Sequence, residues 1–355
     1  MNEHSRRRLG WTLAAAVFLL NYSPWVRAEA YGRDAAAAAA QIPERVLIPG
    51  GQAVGVALKT QGVLVVARPQ KEGAASSLRV GDLILSVEGR EIDGVRALSE
   101  QVHAADSDYI ELGVLRRGRH MTVTAAATAD SDGMRRLGVW VRDSTAGVGT
   151  LSYVDPLTGA YGALGHAIVD GDTGDMVVVR EGAILKADVV GVARGSSGRA
   201  GELRGSFLKE NEQIGTLKIN SVYGIYGTME ETAQNALYPA GLPIASRGEV
   251  HPGPATILTT VDESGMQEYG IEILKCVRQD MPAQKGMTLR VTDARLIDKT
   301  GGIVQGMSGS PIIQDGKIVG AVTHVYLNDA SQGYGMYIEW MLEQSDRIEA
   351  ADAAA

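Results

Sequence analysis

The chain has 355 residues, 45% apolar and 21% charged, which is enough for two ordinary globular domains. A net charge of −8 leaves no basic stripe to neutralise phosphates, so nucleic acid is excluded as the main partner. The single cysteine, Cys276, excludes an internal disulfide and a cysteine-based zinc site. It lies in the apolar run Ile271 to Val277 and reads as a buried structural thiol. Abundant glycine beside many Val, Ile and Thr residues points to strands and tight turns. No His-Glu-x-x-His, P-loop or dinucleotide fingerprint is present, and no cofactor or metal is expected.

Residues 1–30 carry Arg6-Arg7-Arg8, an apolar core of 12 residues from Leu9 to Leu20, and the small-x-small triplet Ala28-Glu29-Ala30. The core is shorter than the roughly 20 apolar residues of a spanning helix. The segment is expected to be an export signal, either cleaved or retained as an N-terminal anchor, with the rest of the chain outside the cytoplasm. Residues 31–41 include the alanine run Ala35 to Ala40 and read as a linker.

Residues 42–127 read as a compact unit. Val54 to Leu58 precedes the apolar strand Gly62 to Ala67. A Leu-Arg-Val-Gly-Asp-Leu-Ile-Leu-Ser-Val-Glu-Gly stretch comes next (Leu78 to Gly89), then a helix from Val95 to Ala105 and a hairpin across Arg116-Arg117-Gly118. The unit resembles a PDZ domain. By that resemblance Gly55, Val56, Ala57 and Leu58 are the loop whose amides hold a peptide C-terminus, the peptide adding as a strand. The alternative is a small α+β domain that only packs against its neighbour.

Residues 128–137 are polar and read as a linker. Residues 138–348 hold many short strands separated by Gly, Asp and Pro, as in a barrel or sandwich. A terminal helix is expected from Ile338 to Ile348, with residues 349–355 as a disordered tail. Asp170, Asp172 and Asp175 alternate, but without the spacing of a calcium loop, and read as a turn.

Within this second domain, Gly306-Met307-Ser308-Gly309-Ser310-Pro311 runs into a β-rich hairpin turned at Asp315-Gly316. Glycines let the amides near Ser308 converge on one point, and acyl transfer needs a nucleophile beside such donors. Pro311 biases Ser310 toward extended structure, leaving Ser308 on the bend. A serine peptidase of chymotrypsin-like architecture is the working reading. Its base must come from His166, His251 or His324, because His4 lies in the export segment and His103 and His120 in the PDZ-like unit. His166, between Gly165 and Ala167, has room for other side chains to converge and is preferred. His324 lies after the nucleophile on a strand that would line the substrate cleft. Asp293, 15 residues before Ser308, is the leading acid, with Asp298, Asp280, Asp170 and Asp172 competing. A Ser–Lys dyad with Lys299 or Lys317 is the other arrangement considered.

The order of export segment, PDZ-like unit, Gly162 to Ile168, Thr292-Asp293, Gly301 to Ile313, Thr323-His324-Val325 and Gly333 to Met341 resembles the SpoIVB family, the stage IV sporulation serine peptidases of spore-forming Firmicutes. The resemblance implies a mainly β protein, a small α+β PDZ domain followed by a chymotrypsin-like double β-barrel. It implies His166 as base, Asp293 as orienting acid, Ser308 as nucleophile, and the Gly306 and Ser308 amides as oxyanion hole. Such proteins are secreted from the forespore into the space between its two membranes. There they process themselves and cleave a membrane-bound regulatory partner, which releases an intramembrane metalloprotease that activates a late mother-cell sigma factor. The resemblance also implies a PDZ domain that acts in self-processing and target recognition. Readings from other classes are a non-catalytic exported scaffold whose PDZ unit captures peptide C-termini, and a hydrolase of non-peptide esters.

Overall fold

The computed structural model describes residues 45–68, 77–195, 198–206, 212–231 and 234–352. The export segment expected at 1–30 and the linker at 31–41 lie outside the described residues. From residue 45 onward the chain is mainly β and contains two closed six-stranded barrels. In the first, Ala53–Ala67 pairs with Trp140–Val154, and the ring continues through Ala160–Ala163, Gly224–Met229, Gln213–Ser221 and Val179–Lys186. Val179–Lys186 then pairs back onto Ala53–Ala67. In the second, Gly253–Thr260, Met266–Cys276, Met287–Val291, Asp329–Tyr337, Lys317–Tyr326 and Pro311–Gln314 close in the same manner. Closure leaves neither ring of six strands an open edge, which suits a glycine-rich chain with few long helices.

Strand alternation explains the cores. Val54, Val56 and Leu58 point inward and meet Tyr161, Ile184, Leu217 and Ile225 in the first barrel. Ile257, Ile271, Leu289, Ile312, Val322 and Met336 do the same in the second. The Asp315-Gly316 hairpin forms as the dipeptide predicts, with φ of 51° and 74° at the two central residues. Arg117-Gly118 repeats this geometry at 49° and 75°.

The PDZ-like unit comprises Leu83–Val87, Arg90–Glu91, the helix Val95–Ala104, and the hairpin Tyr109–Arg116 with Arg119–Ala126. Leu98 and Val102, one turn apart, bury the helix against Val63, Ile84, Ile110 and Leu112. The expected linker contains a small ladder of Thr128–Ala129 with Arg135–Arg136. The terminal helix runs from Ile338 to Asp352, beyond its expected end and into the segment expected as tail.

The division into consecutive domains is corrected by one strand. Ala53–Ala67 serves both units: Ala53 to Thr60 is wall of the first barrel, and Val63 to Ala67 belongs to the PDZ-like unit. The PDZ-like unit is thus inserted between two neighbouring strands of the barrel. Gly55, Val56, Ala57 and Leu58 are therefore not a peptide-binding loop. They pair with Val148 to Thr145 on one side and Leu185 to Gly182 on the other, so their backbone groups are spent in ladders. Further along, Leu64 and Val65 pair with Arg142 and Val141, so a strand of the same chain fills the edge where a peptide would add.

A fragment of residues 138–348 lacks the strand that joins Trp140–Val154 to Val179–Lys186. It is expected to be non-native by near-ultraviolet circular dichroism and to aggregate on size exclusion, whereas residues 45–352 fold.

Candidate active site

Ser308 lies in the loop entering Pro311–Gln314, and the first barrel holds that loop. Thr150 N–H donates to Ser308 O at 3.2 Å, and Thr150 Oγ1 donates to Gly306 O at 2.7 Å. Gly309 N–H donates to Val322 O at 2.8 Å. Gly309 has φ 98°, and a Cβ there would stand 2.1 Å from Thr150 O and 2.6 Å from Leu164 N. Only glycine permits this approach of one barrel to the other. Among the described residues, the Gly306 and Ser308 N–H groups donate to no acceptor. Ser310 is fully buried, has no described partner for its Oγ, and does not line the cleft.

His166 comes after the strand Ala160–Ala163 through a turn in which Leu164 and Gly165 both have φ 68°. A non-glycine residue in that region is strained, and such strain clusters at sites whose geometry matters. A Cβ on Gly165 would come within 2.9 Å of Thr323 Cγ2, so the turn packs directly on the strand beside Ser308. His166 and Ser308 line a cleft of about 630 Å³ with Lys285, Thr323, His324 and Tyr334. The His166 and His324 ring centroids are 5.7 Å apart. Ser308 Oγ donates to Thr323 O at 2.9 Å in this state, and His166 Nδ1 lies 2.9 Å from Ala167 O.

Burial, with the nearby His166 and Lys285, pushes His324 down to about 4. Its Nδ1 is buried without a described partner. The ring is thus neutral at neutral pH, beside rather than in the place of His166. His251 sits elsewhere, with Nε2 2.9 Å from Asp315 Oδ2.

Asp293 is not brought to His166. Its Oδ1 accepts from Arg295 N–H at 2.9 Å, and its Oδ2 accepts from Arg295 Nη2 at 2.7 Å and from Gly270 N–H at 3.3 Å. It caps the helix Ala294–Thr300, and it does not line the cleft. Arg295 holds the carboxyl down at about 2. An aspartate just before a helix is a capping signal legible in the sequence, and it outweighs the spacing to Ser308. Asp298, Asp280, Asp170 and Asp172 are also outside the cleft, the last two meeting Arg142 at 2.8 Å each. Lys299 pairs with Asp262 and Lys317 with Glu249, so neither forms a dyad with Ser308. The cleft lysine is Lys285, 4.6 Å from the centre of the Tyr334 ring, and no sequence signal marked it.

Two barrels that bring a serine with unspent neighbouring amides and a histidine into one cleft define a serine peptidase. The chain belongs to the SpoIVB peptidase S55 family, whose profile matches residues 133–342. None of the curated proteins matches it. The PDZ domain of the SdrC-like protein from Listeria innocua is similar to 23% of this chain over 93% of its own length, at 21% identity and a TM-score of 0.21. The Rv3671c protease of M. tuberculosis in its inactive form is similar to 57% of this chain over 84% of its own, at 14% identity and a TM-score of 0.33. These structural likenesses are too weak to add to the assignment.

Asp293→Ala is expected to lower the unfolding free energy by about 1 kcal/mol through loss of the helix cap, measured by urea denaturation. Because the folded value of His324 lies near 4, below the 6.5 of a free histidine, the unfolded chain binds its proton first as pH falls. The His324 contribution to stability is therefore complete above that free value and is lost as pH drops toward 4. His324→Gln should lose less stability than the wild type over this window, as read by urea unfolding at both ends.

Proposed function

We propose that this protein is a serine endopeptidase in which Ser308 attacks the scissile carbonyl and His166 takes its proton. The observation that carries the reading is the meeting of Ser308 and His166 in one cleft beside the unspent Gly306 and Ser308 amides. Those amides receive the oxyanion as the tetrahedral intermediate forms. For attack, Ser308 Oγ–H exchanges the Thr323 carbonyl for the unprotonated nitrogen of His166, a rearrangement common when substrate enters a resting site. His324, neutral and lining the same cleft, contacts substrate.

Membership of the SpoIVB peptidase family supports a place in sporulation signalling. In that reading the enzyme processes itself and cleaves a membrane-associated regulator, leading to activation of a late mother-cell sigma factor. The charged and apolar N-terminal segment supports export across the forespore membrane into the intermembrane space. The filled strand edge means that any contribution of the PDZ-like unit to target capture uses a surface other than Gly55 to Leu58.

Ser308→Ala is expected to keep the fold and abolish both self-cleavage and labelling by a fluorophosphonate. Ser310→Ala should be milder, since that hydroxyl is buried outside the cleft. N-terminal sequencing of incubated wild-type and Ser308→Ala protein reads the result, and equal cleavage by both would sink the proposal.

A further inference from the structure

With Asp293 spent on Arg295, no carboxylate among the described residues hydrogen-bonds His166, yet its ring is not left loose. Its Nδ1 meets the carbonyl oxygen of Ala167 at 2.9 Å. A carbonyl only accepts, so Nδ1 carries the proton and Nε2 is the nitrogen left to act as base. The same planar peptide group is gripped from its other edge. Ile168 N–H donates to Asn220 Oδ1 at 2.8 Å. Asn220 Nδ2 in turn donates to Ile168 O and Val177 O, each at 2.9 Å. These three bonds fix the amide orientation, because a flipped Asn220 would set a donor against Ile168 N–H and an acceptor against two carbonyls. Asn220 stands on the barrel strand Gln213–Ser221, a rigid base for such a grip. Accepting from Ile168 N–H also polarises the peptide, which strengthens the Ala167 carbonyl as acceptor for the imidazole.

We propose that Asn220 is a positioning residue for acyl transfer. It sets the tautomer of His166 through the Ala167–Ile168 peptide group, which occupies the role that a carboxylate has in a Ser-His-Asp triad. The inference rests on the assignment of Ser308 and His166 as nucleophile and base. An asparagine at a strand end before a turn otherwise reads only as a turn former.

The test uses the full chain and two readouts. Long-range proton–nitrogen NMR of the 15N-histidine-labelled Ser308→Ala protein reports the His166 tautomer, with His166→Gln assigning the signal. The rate of fluorophosphonate labelling, with Ser308 intact, reports reactivity. The wild-type ring should be in the Nδ1–H form. Asn220→Ala should slow labelling roughly tenfold or more and release the ring toward Nε2–H. Asn220→Asp, which keeps an acceptor for Ile168 N–H, should retain the Nδ1–H form and label faster than Asn220→Ala. An Nε2–H ring in the otherwise wild-type chain overturns the proposal, as does Asn220→Ala with unchanged tautomer and labelling rate. If Asn220→Ala does not fold by circular dichroism, Asn220→Asp decides, and loss of its Nδ1–H form overturns the proposal. Absence of labelling in the wild type would instead remove the peptidase assignment, while the tautomer still judges Asn220.

Discussion

Thr150 holds both halves of the site, and the arrangement of the cleft depends on it. Its N–H donates to Ser308 O, and its carbonyl accepts from Leu164 N–H at 3.2 Å in the turn that delivers His166. Its hydroxyl donates to Gly306 O, and the residue is buried. A strand residue of the first barrel thus clamps the serine loop of the second while supporting the histidine turn of its own. Each such bond contributes about 1 kcal/mol net, but leaving its partner buried and unpaired costs more. The larger effect is geometric, since Ser308 and His166 come from different barrels and the seam fixes how the two sides of the cleft face each other.

The seam also explains where the chain tolerates strain. Leu164 and Gly165 sit in the left-handed region next to Thr323, and Gly309 lies too close to Thr150 for any side chain. Closed barrels on both sides provide the rigidity that keeps such conformations from relaxing. His324 belongs to the same logic. Burial beside His166 and Lys285 keeps it uncharged, so a second cation is not forced into the cleft at neutral pH.

The PDZ-like unit is tied to this framework through a continuous strand rather than a flexible linker. Ala53–Ala67 passes from barrel to inserted unit, and Trp140–Val154 returns beside it. On the return, Asp143 accepts from Val95 N–H at the start of the unit's helix at 2.8 Å. Arg142 meets Asp170 and Asp172 in the turn beyond His166. The inserted unit and the histidine side of the cleft therefore share neighbours, and the strand edge between them is already satisfied.

Much of this was legible in the sequence because it is local. The Asp315-Gly316 hairpin, the bend at Ser308, the alternation of Val54, Val56 and Leu58, and the helical spacing of Leu98 and Val102 all derive from turn chemistry and periodicity. Membership of those strands in one barrel or another is not local. Val56 is barrel wall because Gly147 and Ile184, each about ninety or more residues away, pair on its two sides. Asp293 shows the same division from the other direction: its spacing to Ser308 pointed to the cleft, while an arginine two residues on and a helix start kept it away. By itself the sequence determined the glycine-flanked serine loop, the histidine-bearing turn and a β-rich chain. Tertiary structure alone decided which strands close each barrel and which groups hold His166, because both depend on contacts between segments that periodicity cannot relate.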